Sequence, residues 1–354
     1  MAAVQPKYHI IGAGVAGLQA AQLIRRKYPQ AEITVYEAAQ HPGGRCFSFA
    51  DPKLGITLDN ATHAVLHGNR LAAAYLGQDA KFAKAVFYDM AAKRINAGQF
   101  SNLKEKSLAL FNLPPDRAAP GIIAKTLGKL FPFTSGQLKV WFSRGDLSDC
   151  LIRPLCKGLN VKSGRKLTGF AAQDGYLYKL IFNKENIALL PQDKVIAAMD
   201  AHNYTKIFGG YDFEYNEITN VFFRTSMQIS LPGGSDFLGL SGSAAQWLFT
   251  SPGVTAVTIS NSGELNLSDR NLALEVWKEI CALRGHAAAF LPPYRVLRHK
   301  RATIRQDRRN NAQRPADCRT AWKNMLIAGD WTMKNWPCSI ETALASAHRV
   351  ARHC

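Results

Sequence analysis

The stretch "YHIIGAGVAGLQAAQLIRRKYPQAEITVYEAAQHPGGR", residues 8–45, decides how the whole chain is read. An apolar strand over residues 7–11 runs into Gly12-Ala13-Gly14-Val15-Ala16-Gly17, a GxGxxG turn. A helix is expected from there to about Lys27, with Leu18, Ala21 and Ile24 on its inner face. A second strand, "AEITVYEA", reaches Glu37, twenty residues beyond Gly17. In such a unit the first glycine permits the tight turn and the second lets a pyrophosphate approach the backbone. The third lets helix and strand pack closely. The helix N-terminus offers free N–H groups and a positive dipole end to phosphates. Glu37 is placed to accept hydrogen bonds from ribose hydroxyls. A lone GxGxxG would mean little, but here strand, turn, helix and acid all stand in order. The alternative is a glycine-rich βα turn that holds nothing.

The fingerprint does not choose between NAD and FAD. Directly after Glu37 and Ala38 comes "HPGGR", where Gly43 and Gly44 give a second close approach of backbone. Arg45 adds a cation able to neutralise the same pyrophosphate.

The far end of the chain is unusually structured for a terminus. "NMLIAGDWTMKNWPCSIETALASAHRVAR", residues 324–352, reads as a buried strand end, Gly329 and Asp330, a Trp/Pro-rich turn and a helix starting near Ser339. Ile340, Ala343, Leu344, Ala347, Val350 and Ala351 fall on one face at helical spacing.

Composition bounds the rest. The 354 residues are 47% hydrophobic, and no run of about 18 apolar residues is present to span a membrane. The chain enters its first strand within a few residues, without a secretory pattern. Seven cysteines, with no CxxC pair or metal-ligand spacing, suit reduced thiols in the cytoplasm and suggest no metal. Lys and Arg number 44 against 26 Asp and Glu, a formal charge of +18. That excess favours anionic partners. The densest run, "RHKRATIRQDRRNNAQR" (298–314), reads either as a solvated connection or as a peripheral contact with an anionic membrane. No nucleic-acid motif accompanies it, so nucleic acid is not expected as a partner.

Between the ends, residues 166–208 read as short strands with a turn at Gln173–Gly175, then a buried strand over Val195–Met199. Residues 76–150 are mixed and mostly helical in pattern. Residues 216–318 carry alternating runs such as "ITNVFFRTSMQISL", "AAQWLFTS" and "GVTAVTISNS", then a helix "SDRNLALEVWKEICAL", and suggest a sheet of six strands with helices. The expected fold class is α/β, a Rossmann-like cofactor domain interleaved with an α+β substrate domain. The cofactor domain takes residues 1–75, 160–212 and 320–354, and the substrate domain residues 76–159 and 213–319.

The segment after Glu37 resembles the FAD-binding segment of amine oxidases and phytoene-type desaturases, and the tail resembles their C-terminal element. That resemblance implies FAD as the cofactor, with Asp330 on its ribityl chain. Backbone N–H groups of the Ser339–Ile340–Glu341 turn would lie near the pyrimidine edge, and Leu167 near the adenine. Leu167 reads more readily as a core leucine. Further motifs narrow the likeness: "TLDNATHAVLHGNRLAAAYLG" (57–77), "CLIRPLCKGLNV" (150–161), "NVFFR" (220–224), "AAQWLF" (244–249), "HKRATI" (299–304) and "GDWTMKNWPCSIE". Together, over nearly the whole chain, they look like the hydroxysqualene dehydroxylases, also called squalene-associated FAD-dependent desaturases. Such enzymes would remove the hydroxyl of hydroxysqualene reductively, giving squalene on the route to hopanoids or related terpenoids. An isoprenoid substrate needs apolar walls, a proton donor for the departing water and few nucleophiles. Asp59 and His63 of "DNATHAVLH" are the candidate catalytic acids, with His67 behind them. The family generally has Gly-Gln where this chain has Ala61-Thr62, and the helical region around 80–130 is shortened. Asn220 falls where amine oxidases place a lysine beside the flavin, which speaks against amine oxidation. Cys338 lies where covalent attachment does not normally occur, so non-covalent FAD is expected. No second Rossmann fingerprint for NAD(P)H is found, which leaves the electron donor unknown. An oxidative flavoenzyme of the same fold and a non-catalytic binding protein are the competing readings.

Overall fold

A computed structural model describes residues 6–60, 65–66, 68–76, 80–84, 86–96, 103–130, 139–143, 146–226 and 229–354. Five short strands form a parallel sheet in the order Asn160–Lys162, Ile33–Tyr36, Tyr8–Ile11, Lys194–Ala197, Met325–Ile327. Its strands therefore come from three separated parts of the chain. Parallel strands are covered on both faces, so they read as near-continuous apolar runs. "YHII", "VIA" and "MLI" are such runs, and their residues are buried.

One face of this sheet is covered by the helix Val15–Lys27 and the C-terminal helix Ile340–His353. Leu18, Ala21 and Ile24 of the first meet Leu344, Ala347 and Val350 of the second in one core with Ile10 and Val35. The apolar stripes read from both helices thus face each other. Each fully buried Leu or Ile contributes about 2 kcal/mol. The opposite face carries a three-stranded antiparallel sheet, Leu167–Gln173, Tyr176–Phe182 and Asn186–Ala188. Asp174 and Gly175 turn its first hairpin with φ of +54° and +79°, the backbone a two-residue hairpin loop demands.

A larger sheet of seven strands runs in the order Tyr294–Ile304, Tyr215–Arg224, Val254–Ser260, Trp247–Ser251, Phe237–Ser241, Val86–Asp89, Arg94–Asn96. Six strands were expected, all from residues 216–318. The structure corrects this, because Val86–Asp89 joins in parallel to Phe237–Ser241 and brings Arg94–Asn96 with it. Those strands lie in the region whose pattern reads as mostly helical, where apolar runs of three or four residues are too short to reveal their period. The helices Leu103–Phe111 and Pro120–Leu130 account for the helical part of that pattern. On the central strand, Val221 and Phe223 pack against Leu272, Val276, Trp277 and Ile280 of the helix Asp269–Leu283. Asn220 and Phe222 point to the other side by the alternation of the strand.

Candidate functional site

The turn after the first strand is built as its glycines require. Gly12 sits at φ +106°, and a Cβ there would lie 2.6 Å from the Ala198 carbonyl oxygen. A Cβ on Gly17 would overlap the Gly12 carbonyl oxygen, so this glycine serves helix–strand packing. Gly14 differs: its φ is −76° and a Cβ would meet nothing within 4 Å. The space before Gly14, at the helix N-terminus, is a cradle that a side chain would fill. It fits the pyrophosphate of a dinucleotide. Ala16 is buried beneath the turn and Ala38 is exposed beside it.

The second glycine pair closes onto the first. Gly43 donates its N–H to the Ala13 carbonyl at 2.8 Å, and a Cβ on Gly44 would stand 3.4 Å from the Gly14 Cα. Glu37 turns inward, accepting from Ala13 N–H on Oε2 and from Ala39 N–H on Oε1, both at 2.8 Å. Its carboxylate is tied to the turn, and the remaining lone pairs are what a ribose would find.

Arg45 reaches across the fold. Its Nη2 bonds the Asp330 carboxylate at 2.7 Å and its Nη1 the Ala302 carbonyl at 2.6 Å. Asp330 is buried, whereas Arg45 keeps 48% of its side chain accessible. The Asp330 carboxylate is the main cause that raises the Arg45 pKa. Arg45 already has an anionic partner, so its charge would serve the site jointly with Asp330.

Asp330 is held in place by its neighbours. Gly329, at φ +144°, donates to Ser346 Oγ at 2.9 Å, and Trp331 Nε1 donates to the Met199 carbonyl at 3.0 Å. Ser339 caps the C-terminal helix, its Oγ accepting from Thr342 N–H at 3.2 Å. The next N–H groups, from Ile340 onward, belong to the first turn and lack intrahelical acceptors. That leaves a positive dipole end beside the Arg45–Asp330 pair, suited to the charge of a reduced flavin.

Two residues that sequence reasoning missed hold this corner together. Arg314 is 2% exposed and donates to the Met333 and Trp336 carbonyls and to Cys338 Sγ, the last at 3.2 Å. Gln306 accepts from Cys338 N–H at 2.9 Å and donates to the Phe111 carbonyl. Burial pushes the Cys338 thiol up to about 11, so it stays protonated at neutral pH. Both arginine and glutamine lie in the basic run, where only their polarity was visible. That run is largely engaged within the fold: Arg298 meets Asp269 and Glu217, Arg305 meets Glu214 and Asp307, and Arg309 meets Asp212 and Glu214.

The remaining candidates are separated by the structure. Leu167 is 3% exposed in the core with Tyr36, Leu177 and Phe182, so its side chain has no surface left for an adenine. Asp59 accepts from Ser48 Oγ at 2.7 Å and Leu147 N–H at 3.0 Å, and burial raises its pKa. His63, His67, Ala61 and Thr62 lie outside the described residues. Asn220 is fully buried, with Oδ1 accepting from Thr258 Oγ1 at 2.8 Å. No helix of the described residues is long and apolar enough to cross a membrane.

Comparison with known proteins agrees with this arrangement. A model of the NAD(P)-binding Rossmann-like domain matches residues 10–78, and one of the flavin containing amine oxidoreductases matches residues 81–354. Hydroxysqualene dehydroxylases from Rhodopseudomonas palustris and Zymomonas mobilis are 28% and 27% identical, each aligned over 97% of both chains. Among solved structures, cyclohexylamine oxidase from Brevibacterium oxydans has a TM-score of 0.73 at 11% identity, covering 99% of this chain and 98% of that one. A putative protoporphyrinogen oxidase from Exiguobacterium has a TM-score of 0.68 at 14% identity over 98% of each chain. At such identities the structural matches speak for the fold alone. The sequence matches go further: the chain belongs to the flavin containing amine oxidoreductase family and is a flavin-dependent oxidoreductase similar to the hydroxysqualene dehydroxylases.

Proposed function

We propose that the protein binds FAD non-covalently and reductively removes the hydroxyl of hydroxysqualene, giving squalene. The observation that carries this reading is the Arg45–Asp330 pair, which joins the "HPGGR" segment to the C-terminal element beside the glycine turn. The full-length similarity to hydroxysqualene dehydroxylases supplies the substrate. The residues that would hold the cofactor are Gly12, Gly14, Ala16 and Gly17 of the turn, Glu37 and Ala38, Gly43, Gly44 and Arg45, with Gly329, Asp330, Ser339 and Ile340 from the tail. Cys338, kept as a neutral thiol, is a poor nucleophile, which supports a non-covalent cofactor.

When bound and reduced, FAD supplies a hydride to the allylic cation left by the departing hydroxyl. The chain's own residues then have two tasks. An apolar wall must exclude water, and the partly buried Trp247 and Phe249, backed by the fully buried Phe87 and Phe237 on the larger sheet, are the candidates to face a polyisoprene. A proton must reach the leaving oxygen, and Asp59, whose burial keeps its carboxyl protonated to higher pH, is the candidate donor within the described residues. The substrate would come from a membrane, with the unengaged part of the basic surface making peripheral contact with anionic lipid from the cytoplasmic side. The electrons would come from a donor outside this chain.

The test is an anaerobic half-reaction. The flavin is reduced chemically and hydroxysqualene is added in detergent. Return of oxidised-flavin absorbance with stoichiometric squalene is expected. Flavin that stays reduced, together with oxidised flavin bleached by an amine or a carotenoid precursor, would replace this reading with an oxidative one. A purified protein that binds no flavin would favour a binding role.

A further inference from the structure

Among the described residues, Phe290 is the large apolar side chain most open to solvent, 72% exposed where the next, Ile95, is 49%. It stands in the loop "HAAAFLPP", residues 286–293, between the helix Asp269–Leu283 and the edge strand Tyr294–Ile304 of the larger sheet. Apolar residues exposed singly are ordinary on a protein surface. Here Ala287, Ala289 and Pro293 are exposed with it, and no polar side chain interrupts the loop from Ala287 to Pro293.

The loop is tied so that this tip faces outward. The helix closes on Gly285 at φ +69°, whose N–H donates to the Ala282 carbonyl while His286 N–H donates to Cys281, both at 3.0 Å. Such a closure turns the chain sharply away from the helix axis. Ala288 and Leu291 then pack back against the core that holds Leu272, Val276 and Ile280. Pro292 is buried, and the Pro293 carbonyl accepts from Arg224 N–H at 2.8 Å. What these anchors leave outside is Ala287, Ala289 and Phe290.

Charge around the tip has one sign. No Asp or Glu occurs between Glu279 and Asp307. The exposed Arg284 and His286 lead into the loop, and the exposed Arg295 follows it. Lys53 comes from the turn between the strands Ser48–Asp51 and Ile56–Asp59, its Nζ 4.6 Å from the centre of the Tyr294 ring. Arg295 meets the buried Asp51 at 3.1 Å, whereas Lys53 and Arg284 meet no carboxylate among the described residues. An apolar tip ringed by unpaired cations matches a bilayer interface, where acyl chains lie beneath anionic headgroups.

We infer that this loop docks the protein on an anionic bilayer, with Phe290 inserted among the headgroups and Arg284 and Lys53 on lipid phosphates. The inference gives the membrane contact of the proposed function a definite place. It rests on that reading only for the reason the protein would visit a bilayer.

Co-sedimentation of the intact protein with vesicles tests this without any substrate. The probes are phosphatidylcholine vesicles with and without phosphatidylglycerol. Binding is expected with phosphatidylglycerol, weakening as salt is raised. Phe290→Ser should reduce the affinity about tenfold, the transfer of one largely exposed phenyl ring. Arg284→Gln should reduce it about fivefold, one cation's share. Both should unfold at the parental temperature, because neither side chain is in the core. Both should also match the parent protein in the detergent half-reaction, where no bilayer is needed. A parent protein that fails that half-reaction strikes the proposed chemistry and leaves the vesicle result standing. Parental vesicle affinity in Phe290→Ser, or no binding to either vesicle, would overturn the docking assignment. So would self-association that Phe290→Ser abolishes, since the loop's occupant would then be a second copy of this chain.

Discussion

Arg45 and Asp330, 285 residues apart in sequence, are joined by a hydrogen-bonded ion pair of 2.7 Å beside the glycine turn. Of the two, Asp330 is the one that is buried, so the pair is asymmetric. Truncating Arg45 strands a carboxylate in a poorly solvated place, whereas truncating Asp330 leaves a cation that is still half accessible. Arg45→Ala should lower stability by about 1–2 kcal/mol, less than for a fully buried pair because Arg45 is half exposed. Asp330→Ala should cost less stability and more flavin. Thermal unfolding with flavin absorbance at purification measures both, and full flavin content in each variant would remove the pair from the cofactor site.

Gly14 and Gly17 allow a sharper test, because the same substitution acts on different things. Ala at Gly17 collides with the Gly12 carbonyl and must push helix and strand apart. Ala at Gly14 meets nothing and has an ordinary φ. Gly17→Ala should therefore lower stability by about 2–3 kcal/mol, the cost of overpacking. Gly14→Ala should unfold within a few degrees of the parent protein yet lose flavin affinity by about tenfold or more. A Gly14→Ala protein with parental flavin affinity would mean that the space before Gly14 is not the phosphate cradle.

How far the sequence reveals this site follows from where its physics is local. The glycine turn, Glu37, the hairpin at Asp174–Gly175 and the Ser339 cap are each decided within a few residues, so they are legible as patterns. Leu167 was open between core and cofactor, because a strand residue's partner depends on what covers that face. Arg314 and Gln306 were invisible as site residues: in sequence they belong to a charged run, and only tertiary folding buries them against the loop Met333–Cys338. The strand Val86–Asp89 was hidden for a similar reason, since pairing to a strand some 150 residues away, not periodicity, makes it a strand, and Arg94–Asn96 follows by pairing with it.

Arg314→Met tests that missed residue. Methionine keeps most of the buried volume but leaves the Met333 and Trp336 carbonyls and the Cys338 thiol without their donor. A loss of about 3 kcal/mol is expected, in the range for breaking a buried charged network. Since the loop it ties leads into the Ser339 cap, flavin affinity should fall with stability. Equilibrium denaturation with and without added FAD measures this, and an unchanged midpoint would show that the loop holds its shape unaided.

Asp59 separates structure from chemistry. Burial raises its carboxyl pKa above the unfolded value of 3.8. Folding therefore favours the protonated form, and this group costs stability as pH rises from about 4 through its folded pKa, after which the cost is constant. Asp59→Asn retains an oxygen to accept from Ser48 Oγ and Leu147 N–H but has no charge to desolvate. The variant should be equal to the parent protein near pH 3 and more stable at pH 7. If Asp59 delivers the proton to the leaving hydroxyl, the same variant should turn over hydroxysqualene about 100-fold more slowly, the usual share of a general acid. Stability against pH and squalene formed per flavin are measured on one preparation. A stabilised variant with undiminished turnover would leave Asp59 a structural acid and move the proton donor elsewhere.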